Sequence, residues 1–385
     1  MSLRTSLKGL AKAVPPIGRL VSHRDRLLAE RDDLAFERDQ LHADRARWQA
    51  QAQCSTAGAA EIAAATARAE AAEFEVSQAI GEVNRLHAVA AEREALILSM
   101  RDQLAMFGEG PPYVPNGHYY SPIAPKSEIT RDDARIFRGV PDAIPGVDLR
   151  LEQQLTLLKE LRQYYDDLPF SDHKQEGLRY HYVNPSYSYS DGIFLNAMLR
   201  HLRPDRVIEI GSGYTSAMFL DTNERWLGNG LQLTFIEPYP ELLYSLLREG
   251  DRDGVTVYAS RLQDVELSVF DALAAGDILF VDSTHVSRVG SDVNYIFFEI
   301  LPRLKSGVFI HFHDIFFPFE YPKSWILEGR AWNEIYLLRA FLQFNAWFDL
   351  VLFNTLLEHK FPQYFEREMP LCLKNPGGSI WLRKR

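Results

Sequence analysis

The chain has 385 residues, 46% hydrophobic and 24% charged, with a formal net charge of −10. That length predicts two or more structural units, and those fractions exclude a wholly disordered or collagen-like polymer. Two cysteines, Cys54 and Cys372, are too few for a disulfide framework or a zinc site, which fits a reducing cytoplasmic setting.

Residues 1–24 hold Arg4, Lys8, Lys12, Arg19 and Arg24 and no acid. Their apolar runs are short and broken by Pro15 and Pro16, unlike a secretory signal. A basic segment of this kind, with Leu3, Leu7, Leu10, Val14 and Ile17, is suited to the anionic inner face of a membrane. A frayed, exposed terminus is the plainer alternative, and 1–19 is the basic N-terminal segment that precedes the first expected helix. No stretch reaches the roughly 18 consecutive apolar residues of a membrane span.

From Arg24 the text RDRLLAE, RDDLAFE, RDQLHAD repeats every seven residues, which predicts a long helix with one constant face. Leu20, Leu27, Leu34, Leu41 and Trp48 keep that phase, and Ile62, Ala69, Val76, Val83, Ala90, Ile97 and Leu104 continue it after a lapse at Ser55. From Ile62 a second series, Ala65, Ala72, Ala79, Leu86 and Met100, fills the other seam position. The expectation is a coiled coil over 20–107 that makes a homo-oligomer, with a hinge near Gly58 beside Cys54, Ser55 and Thr56. A solvated single helix is the alternative for the first half. Gly108, Gly110, Pro111, Pro112, Pro115 and Gly117 then mark a linker over 108–125.

Residues 126–385 form the next expected domain, with its core in 184–385. Short β-branched runs alternate with helical stretches, which predicts βαβ units: an α/β, Rossmann-like, mostly parallel sheet of seven strands. The strands fall at 206–210, 231–236, 255–258, 278–281, 308–312, 348–353 and 379–382. No helix-length pattern separates the last two, so the last strand is expected to return antiparallel. Ligands of such sheets bind at the carboxyl ends of strands.

The first strand ends in EIGSGYTS, where Gly211, Ser212 and Gly213 give a tight turn beside the carboxylate of Glu209. A dinucleotide fingerprint wants glycine where Ser216 stands, which weakens an NAD reading. The second strand ends in Glu237, 28 residues after Glu209, positioned either to take both hydroxyls of a ribose or to cap the helix near Pro240.

These residues resemble the class I S-adenosylmethionine-dependent methyltransferases, and the texts DILFVDSTH and GVFIHFHDIF resemble a bacterial group that tailors glycans and small molecules. The resemblance implies S-adenosylmethionine as cofactor. Glu209 would lie at its methionine end, Gly211 to Gly213 under the adenosine, Glu237 on the ribose, and Gln263 and Asp264 near the adenine. Catalysis is expected after strands four and five, at Asp282, Ser283, His285, His311, His313 and Asp314. Strand alternation sets His311 and His313 on one side, and His313 is the expected general base. Asp282, also counted with the cofactor site, and Asp314 are expected to serve catalysis and, by resemblance to catechol and sugar O-methyltransferases, to bind Mg²⁺.

In FFPFEYPKSW the expected acceptor contacts are Glu320 and Tyr321, with Phe317 or Phe319 stacking on a sugar and His285 beside them; a hydrophobic loop packed on the sheet is the equal alternative. The segment YSYSD, 187–191, opens a helix that could close over the cofactor. The expected function is O-methylation of a sugar, glycan intermediate or related hydroxylated small molecule, with no nucleic acid involved, since the acidic body repels a phosphate backbone. The alternative is a coiled-coil interaction protein whose methyltransferase-like domain does not catalyse.

Overall fold

The computed structural model describes residues 15–52, 58–106 and 113–385. The chain divides into Met1–Val114 and Pro115–Arg385. No helix among the described residues is long and apolar enough to cross a membrane. The basic positions Arg4, Lys8 and Lys12, the trio Cys54, Ser55 and Thr56, and the linker residues Gly108, Gly110, Pro111 and Pro112 lie outside the described residues.

The N-terminal unit is two helices, α1 (Pro15–Ala52) and α2 (Gly58–Met106). Nε2 of His42 meets Oε1 of Glu73 at 2.8 Å. With only residues 53–57 between the helices, that contact requires them to run antiparallel as a hairpin. Ala69, Val76 and Val83, seven apart, are buried, and Leu34, Leu41, Ala65, Ala72, Ala79 and Leu86 are half-buried. The repeating face therefore meets the other helix of the same chain, while Trp48 and Ile97, in the same phase, are exposed. Gly58 is the first residue of α2.

The C-terminal unit is built on seven strands: β1 (Arg206–Ile210), β2 (Gln232–Ile236), β3 (Val255–Tyr258), β4 (Ile278–Val281), β5 (Phe309–His313), β6 (Phe348–Phe353) and β7 (Ser379–Lys384). Their order is β3-β2-β1-β4-β5-β7-β6, and β7 alone runs antiparallel to its neighbours. This is the expected sheet with its returning last strand. Alternate side chains go to opposite faces. Val207, Leu233, Phe235, Ile278, Phe280 and Trp381 pack on one side, and Ile208, Ile210, Leu279, Val281, Ile310 and Phe312 on the other. Each such Leu, Ile or Phe removed from water contributes roughly 1.5–3 kcal/mol.

Helix α3 (Leu151–Leu161) is tied to the sheet edge, where the Phe353 amide donates to Oε1 of Gln154 at 2.8 Å. Helices α4 (Tyr189–Leu202) and α5 (Tyr214–Trp226) cover the first face. The expected strand 308–312 is displaced by one residue, which brings His313 into register with Ser379 of β7.

A larger correction concerns the last crossover. Between β6 and β7 lie two helices, α6 (Asn354–Lys360) and α7 (Pro362–Glu368). Each has seven residues, and 354–358 are buried on every side, so no amphipathic period marks α6 in the sequence.

Candidate active site

Two glycines shape the turn after β1. Gly211 has φ +82°, and a Cβ there would lie 1.8 Å from the Asp282 carbonyl oxygen. The turn is pinned on both sides, the Gly211 amide donating to the Ile236 carbonyl at 3.0 Å and the Asp282 amide to the Ile210 carbonyl at 2.8 Å. Only glycine meets both demands, the left-handed backbone and the close approach of β4. Gly213 is the N-cap of α5, and a Cβ on it would touch Leu242 at 3.3 Å.

Glu209 is fully buried and accepts hydrogen bonds from the hydroxyls of Thr215 and Ser216, while Ser216 Oγ accepts from the Gly213 amide at 3.1 Å. Burial pushes the Glu209 carboxyl up to about 8, against the two hydroxyls that favour its ionised form. Ser216 thus explains the missing third glycine: its hydroxyl orients the acid. Glu237, half-buried, joins two loops, one oxygen accepting the Ser212 amide at 3.1 Å and the other the Tyr239 amide at 2.8 Å. Nothing in that arrangement caps the helix after Pro240. Gln263 donates to the Gly290 carbonyl at 2.8 Å, tying the loop after β3 to the loop after β4, and Asp264 is paired with Arg261 at the surface.

At the ends of β4 and β5, Asp282, His285, His313 and Asp314 converge. His285 and Asp314 are held with positive φ, 59° and 56°, which turns both side chains back over the strand ends. His285 Nε2 lies 3.4 Å from Oδ1 of Asp282 and 3.4 Å from Oδ2 of Asp314. One ligand atom from each of Asp282, His285 and Asp314 falls within 4.8 Å of the others. His313 Nδ1 is 3.3 Å from Asp282 Oδ1, and its Nε2 is 3.4 Å from Asp191 Oδ2.

The charges follow from these partners. Burial works against protonation of His285, but Asp282 and Glu334 outweigh it and push the imidazole up to about 10. Burial likewise opposes the charge on His313, and Asp314, Asp282 and Asp191 raise it well above its ordinary value. Burial would raise Asp282, yet the two imidazoles hold it well below the carboxylate range; burial prevails at Asp314, which is raised. An imidazole that keeps its proton is a poor acceptor of another, so the charge state of His313 runs against its expected use as general base.

His311 is a core residue: its ring stacks on Phe280 at 4.0 Å and meets the Trp381 edge at 4.9 Å, and burial drives it to the neutral form.

Two carboxylates of this cluster were given no role by the sequence reading. Glu334, 1% exposed, accepts from His285 Nδ1 at 2.8 Å and from Ser283 Oγ at 3.1 Å. Asp191, at the start of α4, takes the Gly378 amide at 3.1 Å and the Ser379 hydroxyl, so it locks the β7 entrance to His313. Glu334 stands 49 residues from His285, beyond any local spacing signal.

Aromatic side chains wall the cluster: Trp332 lies 4.4 Å from His285, and Trp325, Tyr321 and Phe316 pack around it. Phe317 and Phe319, expected to offer a stacking face, are instead buried against Phe353. Tyr321 is buried with its hydroxyl accepting the Ile335 amide at 3.3 Å, and Glu320 accepts from the Tyr336 hydroxyl. Both expected acceptor contacts thus have internal partners.

Residues 208–315 match a family profile described as a methyltransferase domain. An uncharacterized protein of Archaeoglobus fulgidus is 32% identical over 168 residues, 41% of this chain and 73% of that protein. Among solved structures, the S-adenosylhomocysteine-bound methyltransferase PaMTH1 of Podospora anserina is 12% identical with a TM-score of 0.33, over 72% of this chain and all of that one. The N-terminal domain of EvdMO1, solved with S-adenosylhomocysteine and D-fucose, is 13% identical with a TM-score of 0.32, over 60% and 99%. Superpositions this loose carry no information on the site. The matched segment, 208–315, runs from β1 through β5 and so contains the glycine turn, Glu237 and the Asp282–Asp314 cluster. The C-terminal unit therefore carries a methyltransferase domain.

Proposed function

We propose that the chain transfers a methyl group from S-adenosylmethionine to a hydroxyl oxygen of a sugar, glycan intermediate or similar polyhydroxylated molecule. The observation that carries this reading is the polar cluster Asp282–His285–Asp314 facing an aromatic wall at the carboxyl ends of β4 and β5. Carboxyl groups beside aromatic faces suit a ring that is polar at its edge and apolar on its face.

The residues after β1 and β2 fit the cofactor. Gly211 and Gly213 make a tight turn at the carboxyl end of β1, Glu237 offers its carboxylate to ribose hydroxyls, and Glu209 puts a carboxyl group near a cationic methionine end. In the transfer the acceptor oxygen forms a bond to the methyl carbon, the carbon–sulfur bond breaks, and its electron pair stays on sulfur as a neutral thioether. The hydroxyl proton goes to Asp314. Its raised pKa makes it a better base than Asp282, and both imidazoles already hold their protons. His285 and His313 position the two acids, and Glu334 and Asp191 position the histidines.

A divalent cation would be held by Asp282, Asp314 and, once it released its Nε2 proton, His285, and would acidify the acceptor hydroxyl. Mg²⁺ prefers oxygen ligands, whereas an imidazole in the set suits Mn²⁺ or Zn²⁺ better. The expected Mg²⁺ is therefore the weaker fit to these donors.

The N-terminal hairpin belongs to the same proposal as a homo-oligomerisation element, since Phe36, Phe74 and Ile80 remain exposed on it. Sedimentation equilibrium of the full chain tests this. A cytoplasmic enzyme whose first 24 residues touch anionic lipid completes the proposal, and flotation with anionic vesicles tests that part.

The reaction is tested by incubating the chain with S-adenosylmethionine and a panel of mono- and oligosaccharides, and following S-adenosylhomocysteine release and the mass gain of one methyl group. Product from no hydroxylated acceptor, while the cofactor binds, would refute the acceptor class.

A further inference from the structure

Arg330 sits on the rim of the aromatic wall. Its guanidinium carbon lies 4.2 Å above the Trp325 ring and 5.2 Å from the Trp332 ring, and those rings meet edge to face at 5.5 Å. The chain turns into this position at Gly329, with φ +102°, and the Arg330 amide donates to the Trp325 carbonyl at 3.1 Å. Immediately beyond, the segment is locked: the Asn333 and Glu334 amides both donate to the His285 carbonyl, at 3.0 and 3.1 Å, and Asn333 Oδ1 accepts the Ser287 amide at 2.6 Å. Backbone and rings together fix where this arginine stands relative to His285.

The side chain is 40% exposed, and its Nε leans on Glu328 at 3.3 Å. Among the described residues no hydrogen bond or ion pair is made by its two Nη groups. An ordinary surface arginine is a mobile, solvated charge. Here two indoles lie 4.2 and 5.2 Å from the guanidinium carbon and restrain it, so part of the ordering cost is already met. An edge of two N–H groups matches two oxygens of a phosphate or carboxylate.

Trp332 touches both His285, at 4.4 Å, and Arg330. A molecule lying along Trp332 therefore has one end at the reacting cluster and the other at the guanidinium.

We propose that Arg330 binds an anionic substituent, a phosphate or a carboxylate, on the acceptor, so that the substrate is an acidic or phosphorylated sugar rather than a neutral one. The proposal rests on the sugar acceptor argued above. The placement also answers an electrostatic problem: the cluster is rich in carboxyl groups and would repel an anion brought close, and Arg330 holds that anion at the far side of Trp332. Neutral sugars lack the group that this edge is set to receive.

The test uses the full chain saturated with S-adenosylhomocysteine and follows tryptophan fluorescence, since Trp325 and Trp332 border the site. Four probes are titrated: glucose 1-phosphate, glucuronate, methyl glucoside and inorganic pyrophosphate. At least one anionic sugar is expected to bind roughly tenfold or more tighter than methyl glucoside, the size of a lost charge-assisted hydrogen bond. Arg330→Gln removes that advantage, Arg330→Lys restores part of it, and neither changes S-adenosylhomocysteine affinity. Whichever anionic sugar binds more tightly identifies the group as phosphate or carboxylate.

If no anion binds in an Arg330-dependent way, the proposal is overturned, and methylation of methyl glucoside would then leave the sugar reading standing. Arg330-dependent binding of pyrophosphate with neither sugar bound would keep the anion site and overturn the sugar.

Discussion

Replacing Glu209 by glutamine separates the stability of this fold from its cofactor chemistry. Glu209 is fully buried, and its carboxyl has an ordinary value of 4.5 that burial lifts to about 8 in the folded protein. Between those values the folded chain holds a proton that the unfolded chain releases, so stability falls as pH rises from 4.5 through about 8. Each pH unit is worth about 1.4 kcal/mol, so near pH 7 the wild-type carboxyl costs at most about 3.5 kcal/mol. Glutamine has the same shape, does not ionise, and can pair with the same Thr215 and Ser216 hydroxyls, which rotate to accept from its amide.

The expected result in urea unfolding of the cofactor-free protein is no stability difference at about pH 4.5, a gain for Glu209→Gln that grows toward pH 7, and a plateau above about pH 8. Cofactor titration should move the opposite way. A cationic methionine end favours the ionised acid, so wild-type affinity rises through about pH 8 with release of a proton, while the variant lacks that rise and falls furthest behind above about pH 8. A stability gap that is constant across pH would refute the buried, proton-holding Glu209, whatever the binding data show.

Three further predictions address the rest of the site. Gly211→Ala places a methyl group within 1.8 Å of the Asp282 carbonyl on a left-handed backbone, so cofactor affinity should fall roughly tenfold or more by calorimetry, with some loss of melting temperature. Unchanged affinity would show that this turn does not carry the cofactor. Asp314→Asn should abolish methyl transfer while S-adenosylhomocysteine still binds, and retained turnover would remove Asp314 as the base. Glu334→Gln leaves the buried His285 charge without its carboxylate and should destabilise the fold by about 3 kcal/mol in urea unfolding. A loss near zero would mean that the His285–Glu334 pair is neutral in the folded protein.

Local features were legible in the sequence because they are written in consecutive residues. The seven strands, the glycine turn and the acids ending β1 and β2 fall within a residue or so of their expected places, since β-branched runs and glycines act over short range. The seven-residue repeat was equally plain, but a repeat states that a face is buried without stating by what. In the structure α2 returns on α1 and supplies much of that burial.

The illegible part is what depends on contact across the chain. Glu334 reaches His285 from the far side of the loop after β5, and Asp191 reaches Ser379 across 188 residues. Phe317 and Phe319 looked like stacking platforms because composition alone cannot tell which aromatic faces the sheet; both are buried against Phe353, and it is Trp332, with Trp325 beside it, that lies next to His285. The charge state of His313 was hidden for a related reason. A histidine's free pKa is near neutrality, but three carboxyl groups that no spacing announces fix its proton.

The charge in this cluster explains why a methyl donor would enter and its product leave. Four carboxyl groups, Asp191, Asp282, Asp314 and Glu334, surround the two imidazoles of His285 and His313, so acids outnumber bases in the cluster. Inside a site shielded from water such a surplus is felt over longer distances than at the surface. A sulfonium approaching from the Gly211 turn lowers that energy, and the neutral thioether left after transfer does not. Donor and product should therefore differ in affinity in the direction that favours turnover. The same surplus would oppose any anionic acceptor unless a fixed cation received it, which is the position Arg330 occupies beyond Trp332.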